Sequence, residues 1–411
     1  MKKVFSIGVA ILFSAISGIS YAGEISILMD KLVEKGVLSP LEAQIIADET
    51  KTAVSKELSE GKSYAAPSWV QKMKIKGDVR VRYQHEEETG KEYTRDRARV
   101  RYRLGITADP VSGVEVGAGL ATGGDDPRST NQTLENSFQT PDIRLDYAYA
   151  KLKVAKDLSL YAGKFARKPV LWQTTDLMWD GDVNPEGGAL AFEHSLGSST
   201  DLFINAGCFV LDERKEEADS TTADDPLMFF VQPGLSISLT DNVSLKTAVA
   251  LYEMKGVQGN TLDHTSGTNS TDGGLKYDYN VINPSVELGV NLESGPVKYI
   301  GVFGDYVKNP DPDEDNTGYA VGFKFGHKKV KKPGNWQFKY INRKIEKDAW
   351  LDNLPDSDAY SGKTGVKGNE FIFEYAIKEN VILGLDYYEM EKIADSDSKQ
   401  QVLQADLVVK F

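Results

Sequence analysis

Seven arginines carry the strongest chemical signal in this sequence. Arg80 and Arg82 stand two residues apart, Arg97, Arg99, Arg101 and Arg103 continue the same step, and Arg144 follows in a further extended segment. Two is the side-chain period of a β-strand, so each series occupies one face of its strand. Antiparallel neighbours sit about 4.8 Å apart, which makes these series one basic patch, extended by Lys74 and Lys76. Guanidinium groups this close attract anions or require carboxylates. Two readings stay open: a positively charged wall of a water-filled space, or a row set at the rims or neutralised by acids.

The second cluster is acidic. Asp176, Asp180, Asp182 and Glu186 lie in the segment 166–186, together with Trp172, Leu177, Met178 and Trp179. The apolar residues argue against a fully solvated loop. An acidic segment folded against a basic wall would set a transverse field at a constriction, and charged rows of this kind govern ion preference. The alternative is an ordinary external loop.

Other patterns carry less. Gly117 to Gly123 resembles a nucleotide fingerprint only in its glycine count, because it lies in a strand with no helix after it. Asp311, Asp313 and Asp315 echo a calcium loop, but Asn316 stands where glycine is required and the twelfth position lacks Glu. The single Cys208 excludes an internal disulfide and reads as an inert buried thiol on a strand. With four histidines and no Ser-His-Asp arrangement in a supporting context, neither a metal centre nor an enzyme is expected, and no cofactor. A net charge of −13 makes nucleic acid a poor partner.

Strands must position these residues. From about residue 73 the hydrophobic period is two: Ile75, Val79, Val81 and Tyr83 alternate with charged residues, and the same alternation recurs at 98–106, 336–340, 370–377 and 403–411. Short turns at 109–113, 155–157, 196–200, 240–242, 293–296, 331–335 and 378–380 alternate with long polar segments at 86–95, 123–141, 166–186, 212–226, 255–279, 309–316, 345–368 and 392–400. Those connections join sixteen strands. In lipid every backbone N–H and C=O needs a partner, and a closed barrel leaves no unpaired edge. The fold class expected is therefore all-β, a 16-stranded antiparallel transmembrane β-barrel over 70–411, apolar outside and polar inside. Tyr83, Tyr102, Phe338, Tyr340, Phe373 and Tyr375 suit its interfacial girdles, though they would serve equally as the core of a soluble sandwich. The sandwich is the competing fold, but it accounts poorly for long strands with Arg at every second position.

The N-terminal segment differs. Lys2 and Lys3, the apolar run 4–19 and Ser20-Tyr21-Ala22 form a secretory signal peptide over 1–22. Residues 23–66 read as a helical preface in the periplasm. Within it, Ser39-Pro40-Leu41-Glu42 is a capping box with Pro at the first helical position.

The last residues, Gln404 to Phe411, resemble the C-terminal signal that the barrel assembly machinery reads on Gram-negative outer-membrane porins. The helical segment Met29 to Leu38, then Gly163-Lys164-Phe165 with Pro169, then Leu177 to Asp182 and Pro185-Glu186-Gly187 resemble, in that order, the family of putative porins. The resemblance covers essentially the whole mature chain. It implies a cell outer-membrane location, contact with lipid and lipopolysaccharide, a homotrimer, and passive diffusion of ions and small hydrophilic solutes. It also implies that the third long loop, here 166–186, folds into the barrel. Two alternatives stay open: an anion- or phosphate-selective channel with an arginine binding ladder, and a plugged structural or adhesive barrel.

Overall fold

The structure is a computed structural model that describes residues 29–59, 68–214 and 225–411. It divides into two units, Met1–Lys72 and Met73–Phe411. The expected signal peptide lies outside the described residues, as do 23–28 and 60–67, parts of or bordering the expected preface.

In the first unit, helix α1 (Pro40–Ser59) begins at the capping box. The Ser39 backbone N–H donates to the Glu42 carboxylate at 2.8 Å, and the Glu42 N–H donates back to Ser39 Oγ at 3.3 Å. This reciprocal pair satisfies two donors that a helix start leaves open. Its N–H and hydroxyl donors hold the Glu42 carboxyl below the ordinary glutamate range. A lowered carboxyl stabilises above its unfolded pKa, and that contribution is lost as pH falls through the folded value. Acidification below about pH 4 should therefore fray the start of α1. Circular dichroism of residues 29–59 would register this as lost helicity, and Glu42→Gln should remove the acid dependence. A short helix α2 (Ser68–Gln71) completes the unit.

The second unit is a closed sheet. Its strands are β1 (Lys74–Glu88), β2 (Arg95–Val111), β3 (Val114–Ala121), β4 (Gln132–Thr133), β5 (Arg144–Ala155), β6 (Leu158–Lys164), β7 (Glu186–Ser195), β8 (Thr200–Val210), β9 (Leu227–Ser238), β10 (Val243–Lys255), β11 (Ile282–Asn291), β12 (Tyr299–Lys308), β13 (Thr317–Gly326), β14 (Trp336–Ile345), β15 (Val366–Lys378), β16 (Val381–Lys392) and β17 (Lys399–Lys410). Strand β4 is a two-residue segment inside a loop that pairs with β2, so sixteen strands form the wall. Each wall strand pairs antiparallel with its neighbours in sequence, and β1 pairs with β17 from Asp78↔Lys410 to Glu88↔Gln400, which closes the barrel. Short turns join one end. Asn380 takes a left-handed φ of 60° in the two-residue turn between β15 and β16, a conformation asparagine tolerates.

Register and exposure define the two faces. Val81, Val249, Val302, Val321, Phe323, Phe373 and Leu385 point outward and are exposed, while their neighbours along each strand point into the lumen. Tyr83, Phe373 and Tyr375 share the outward face. Cys208 is half-exposed on that face rather than buried, because its ladder partner Gly188 offers no side chain to cover it.

The lumen departs from the polar interior read from sequence. Phe203, Phe209, Phe230, Tyr252, Met254 and Phe303, on β8, β9, β10 and β12, are buried on the inner face. Against them pack Leu171 and Trp179 from loop 165–185, Leu262 from loop 256–281, and Trp350 and Leu351 from loop 346–365. Trp350 packs at a tilt against Trp179, at 5.9 Å, and edge-on against Tyr252, at 4.9 Å between ring centroids. Part of the barrel is thus filled by an apolar core, and the charged residues hold the remainder.

Candidate functional site

The charged part of the lumen centres on β1, β2 and β17. Cross-strand register sets Arg80 opposite Arg101 and Arg82 opposite Arg99. Like charges placed directly opposite repel, and the structure answers with carboxylates. Arg82 binds Asp406 at 2.7 Å and Asp358 at 3.1 Å. Arg101 and Arg103 share Asp78, each at 2.8 Å. Arg97 pairs with Glu86 at 2.9 Å.

Two arginines are less fully matched. Arg80 approaches Asp406 only to 3.6 Å and otherwise donates to Asn131. Arg99 donates to Gln84 and Ser129, and among the described residues it forms no ion pair. The buried Nε–H groups of Arg80 and Arg99 have no hydrogen-bond partner among those residues. Arg144 stands apart, because β3 separates its strand from β2; its Nε donates to the Gly123 carbonyl at 3.1 Å.

Loop 165–185 lies inside the barrel, pinned to the inner wall. Gln232 on β9 accepts the Trp172 N–H at 2.8 Å and donates to the Trp172 carbonyl at 2.7 Å. Asp305 on β12 accepts the hydroxyls of Thr174 and Thr175 at 2.7 and 2.6 Å. Two polar wall residues thereby satisfy the backbone and hydroxyl groups that an inserted loop would otherwise leave buried and unpaired.

This places the four candidate acids differently. Asp182 reaches the arginine wall, bonding Arg103 at 3.1 Å and the Thr130 hydroxyl at 2.8 Å. Asp176 contacts Arg343 on β14. Asp180 accepts the N–H groups of Asp182 and Ser357, each at 2.8 Å. Burial, with Asp182 close by, pushes its carboxyl up to about 7. Glu186 is not in this group: it begins β7, is exposed, and pairs with Lys164 at 2.6 Å. The loop also carries Lys168, whose ammonium is drawn below its ordinary value by burial and by Arg167, Arg103, Lys339 and Lys410.

Several participants were not identified from sequence. Loop 346–365 also enters the lumen, bringing Asp358 to Arg82 and Asp356 to Arg343 at 3.0 Å. Its Leu354 carbonyl accepts the Asp180 N–H at 2.7 Å, so the two inward loops hold each other. Trp350, Leu351 and Leu354 were the available signal, since an external loop has little use for them. Asp176, Asp356 and Glu370 have the spacing of a metal site, but the Arg343 guanidinium contacts all three and supplies the positive charge. Arg128, buried in loop 122–143, donates to carbonyls of His264, at 3.1 Å, and Asp352, at 3.1 Å, tying three loops together.

Among the described residues of this arrangement, no serine, threonine or cysteine is hydrogen-bonded to a histidine. The arrangement offers a lumen narrowed by two anchored loops, with a paired but cation-rich arginine row on one side. A family model described as a putative porin matches residues 87–289 and 275–411. No curated protein matches the chain. Among solved structures, a triple mutant of the Rhodopseudomonas blastica porin is similar at 13% identity and a TM-score of 0.45, covering 82% of this chain and 100% of that one. The outer membrane channel DcaP of Acinetobacter baumannii is similar at 12% identity and a TM-score of 0.47, covering 82% of this chain and 97% of that one.

Proposed function

Because the chain belongs to the putative porin family, we propose that it is an outer-membrane porin that lets ions and small hydrophilic solutes diffuse down their gradients, with a preference for anions at its narrowest part. One observation carries the preference. Six arginines project into the lumen from two adjacent strands; among the described residues the inward loops bring Asp182 and Asp358 to ion-pair distance and the wall adds Asp78, Glu86 and Asp406, which leaves the guanidinium groups one carboxylate short. Arg80 and Arg99 remain the least compensated, and Lys168 adds a further cation. Lumenal placement also fits the energetics, since an arginine facing lipid near the midplane costs about 2–4 kcal/mol.

The whole-chain charge of −13 favours cations. Local charge at the constriction outweighs it, because exposed charges beyond about 8–10 Å are screened at physiological salt. Passage is passive and needs no cofactor. Residues 1–22 direct export, Phe411 marks the chain for barrel assembly, and the outward face and loops meet lipid and lipopolysaccharide.

Single-channel current across a KCl gradient tests this reading with the mature chain. The expected reversal potential has the sign of anion preference, and Arg80→Gln with Arg99→Gln should move it toward the cation side. A current that saturates with solute would point to an arginine binding ladder instead of free diffusion. The apolar core around Trp179 and Trp350 favours a second reading, a plugged structural barrel. A folded, heat-modifiable barrel that carries no current would establish that reading and overturn the porin.

A further inference from the structure

A cavity of about 420 Å³ opens at the end of the wall that carries the long loops. It is lined by loop 122–143, the first residues of β5, Lys164 at the end of β6, and Asp182 and Asn184 from loop 165–185. Sites for small molecules occupy about 300–1,000 Å³. Asp182 also bonds Arg103, so the cavity adjoins the arginine row. Several of its charged residues are already matched. Asp182 has Arg103, Asp126 holds Arg128 at 2.9 Å, and Lys164 holds Glu186 at 2.6 Å. Arg144, Asp146 and Asp125 also line it, and among the described residues none of the three forms an ion pair. Arg144 and Asp146 stand two residues apart on one strand, yet they do not bind each other.

A β-bulge puts both charges there. Tyr147 pairs with Gly119 and Leu145 pairs with Leu120, so Asp146 is an extra residue of β5 with no counterpart on β3. Tyr147 lies over the lumenal Gly119. In an unbroken strand, alternation from Tyr147 would turn Leu145 inward and set Arg144 and Asp146 against lipid. The bulge reverses this. Leu145 is exposed on the outward face, and the two charges line the cavity. Each is held by one atom and open at the rest. Arg144 Nε donates to the Gly123 carbonyl at 3.1 Å, and among the described residues its two terminal nitrogens have no partner. Asn184 donates to Asp146 Oδ1 at 2.8 Å, and Oδ2 accepts no bond from those residues. A guanidinium free at both terminal nitrogens suits a carboxylate, and a free carboxylate oxygen suits an ammonium.

From this we infer that the cavity binds small zwitterionic amino acids, with the carboxylate on Arg144 and the ammonium on Asp146. Opposite charges held apart across one cavity cannot neutralise each other, and a solute that carries both closes the gap. A simple anion would gain Arg144 but lie beside Asp146 and Asp125. A simple cation would gain Asp146 but meet the Arg144 guanidinium. The zwitterion has no net charge to oppose, and both of its ends find partners that the described residues do not supply. The position gives the site its use: a solute resting there is next to Asp182 and Arg103, where the lumen narrows. The inference names a solute class for the channel proposed above and rests on that reading.

The test is saturation-transfer NMR of the mature chain, titrated with L-alanine, acetate and methylammonium. Alanine should bind at least tenfold more tightly than acetate or methylammonium, each of which carries one of its two charges. Arg144→Gln and Asp146→Asn should each weaken alanine at least tenfold while the barrel stays heat-modifiable. Arg144→Gln should also remove the preference for alanine over methylammonium. The comparison of the three solutes on the wild type does not depend on any variant folding. Acetate as tight as alanine would make the cavity a plain anion site, and methylammonium as tight would make it a cation site. Either result overturns the proposal, as does absence of alanine binding. Single-channel current separates the two readings. A conducting channel that does not bind alanine would remove the site and leave the porin, and a silent barrel that binds alanine would do the reverse.

Discussion

An Arg343→Met variant should lose the lock between its two inward loops and carry a larger current than the wild type. Arg343 is buried on β14 and contacts Asp176 from loop 165–185, Asp356 from loop 346–365, and Glu370 from β15. One guanidinium thus joins both loops to the wall. Removing one member of a buried charge network leaves the others uncompensated, which costs about 3–5 kcal/mol. At about 1.4 kcal/mol per tenfold, that shifts the docking equilibrium by roughly two to four orders of magnitude. The sheet keeps its ladders, so heat-modifiability should survive while the denaturation midpoint falls. Single-channel recording at neutral pH should show larger and noisier conductance. Adding Asp176→Asn, Asp356→Asn and Glu370→Gln removes the stranded carboxyls and should restore part of the wild-type conductance. Unchanged conductance in Arg343→Met would mean that the loops are held by their apolar contacts and by the hydrogen bonds of Gln232, Asp305 and Asp180 without the guanidinium.

Conductance should also depend on pH, with a minimum near pH 4–5. Asp180 joins the same two loops by accepting the Ser357 N–H. Burial and the neighbouring Asp182 raise its carboxyl to about 7. A raised carboxyl favours the neutral form in the docked state, so docking is strongest below the ordinary aspartate value of about 4 and weakens as pH climbs toward 7. Asp176 and Asp358 behave oppositely. Against the pull of burial, Arg343 holds the first below its ordinary range, and Arg82, Arg80 and Arg99 hold the second. Their contribution is present above about pH 4 and is lost as pH falls further. One fully shifted group changes the docking equilibrium by up to about tenfold per pH unit. Current recorded from pH 3 to pH 8 should therefore rise on both sides of the minimum. Asp180→Asn should shrink the limb between pH 4 and 7, to which Asp356, raised by burial and by Asp176, also contributes, and leave the acid limb intact. If that variant leaves the neutral limb unchanged in size, Asp180 is not among the groups that titrate there.

The sheet was far more legible than the lumen. Period-two alternation and the contrast between short and long connections are local signals, and they give the sixteen wall strands with their junctions at 112–113, 156–157 and 379–380. The partners of the arginines are not local. Asp406 meets Arg82 across 324 residues, and Asp358 meets it across 276. No spacing rule reaches that far. The apolar lumen was hidden for a different reason. Where Phe230 and Tyr252 face inward while Val231 and Leu251 face outward, both sides of the strand are apolar and alternation vanishes. Loop 346–365 looked polar because its aspartates outnumber its tryptophan, yet Asp348 and Asp352 are buried acceptors for loop 256–281. A carboxylate read as a solvating group can equally be a hub for buried N–H donors.

The seam between β1 and β17 has a consequence for the order of events during synthesis and folding. Gly77 and Phe411 exchange backbone hydrogen bonds at 2.9 and 3.0 Å, which extends the β1–β17 ladder by one rung. Until β17 pairs, β1 and β16 are open edges with a row of unpaired donors and acceptors, which lipid cannot tolerate. Hairpins can form early from near neighbours, but closure waits for contacts of the longest sequence separation and is the slow step. A chain that ends before residue 399 has no partner for β1 and cannot become a slightly smaller barrel of the same register. Insertion is therefore close to all-or-none, and incomplete chains are left as substrates for aggregation or proteolysis rather than as leaky channels.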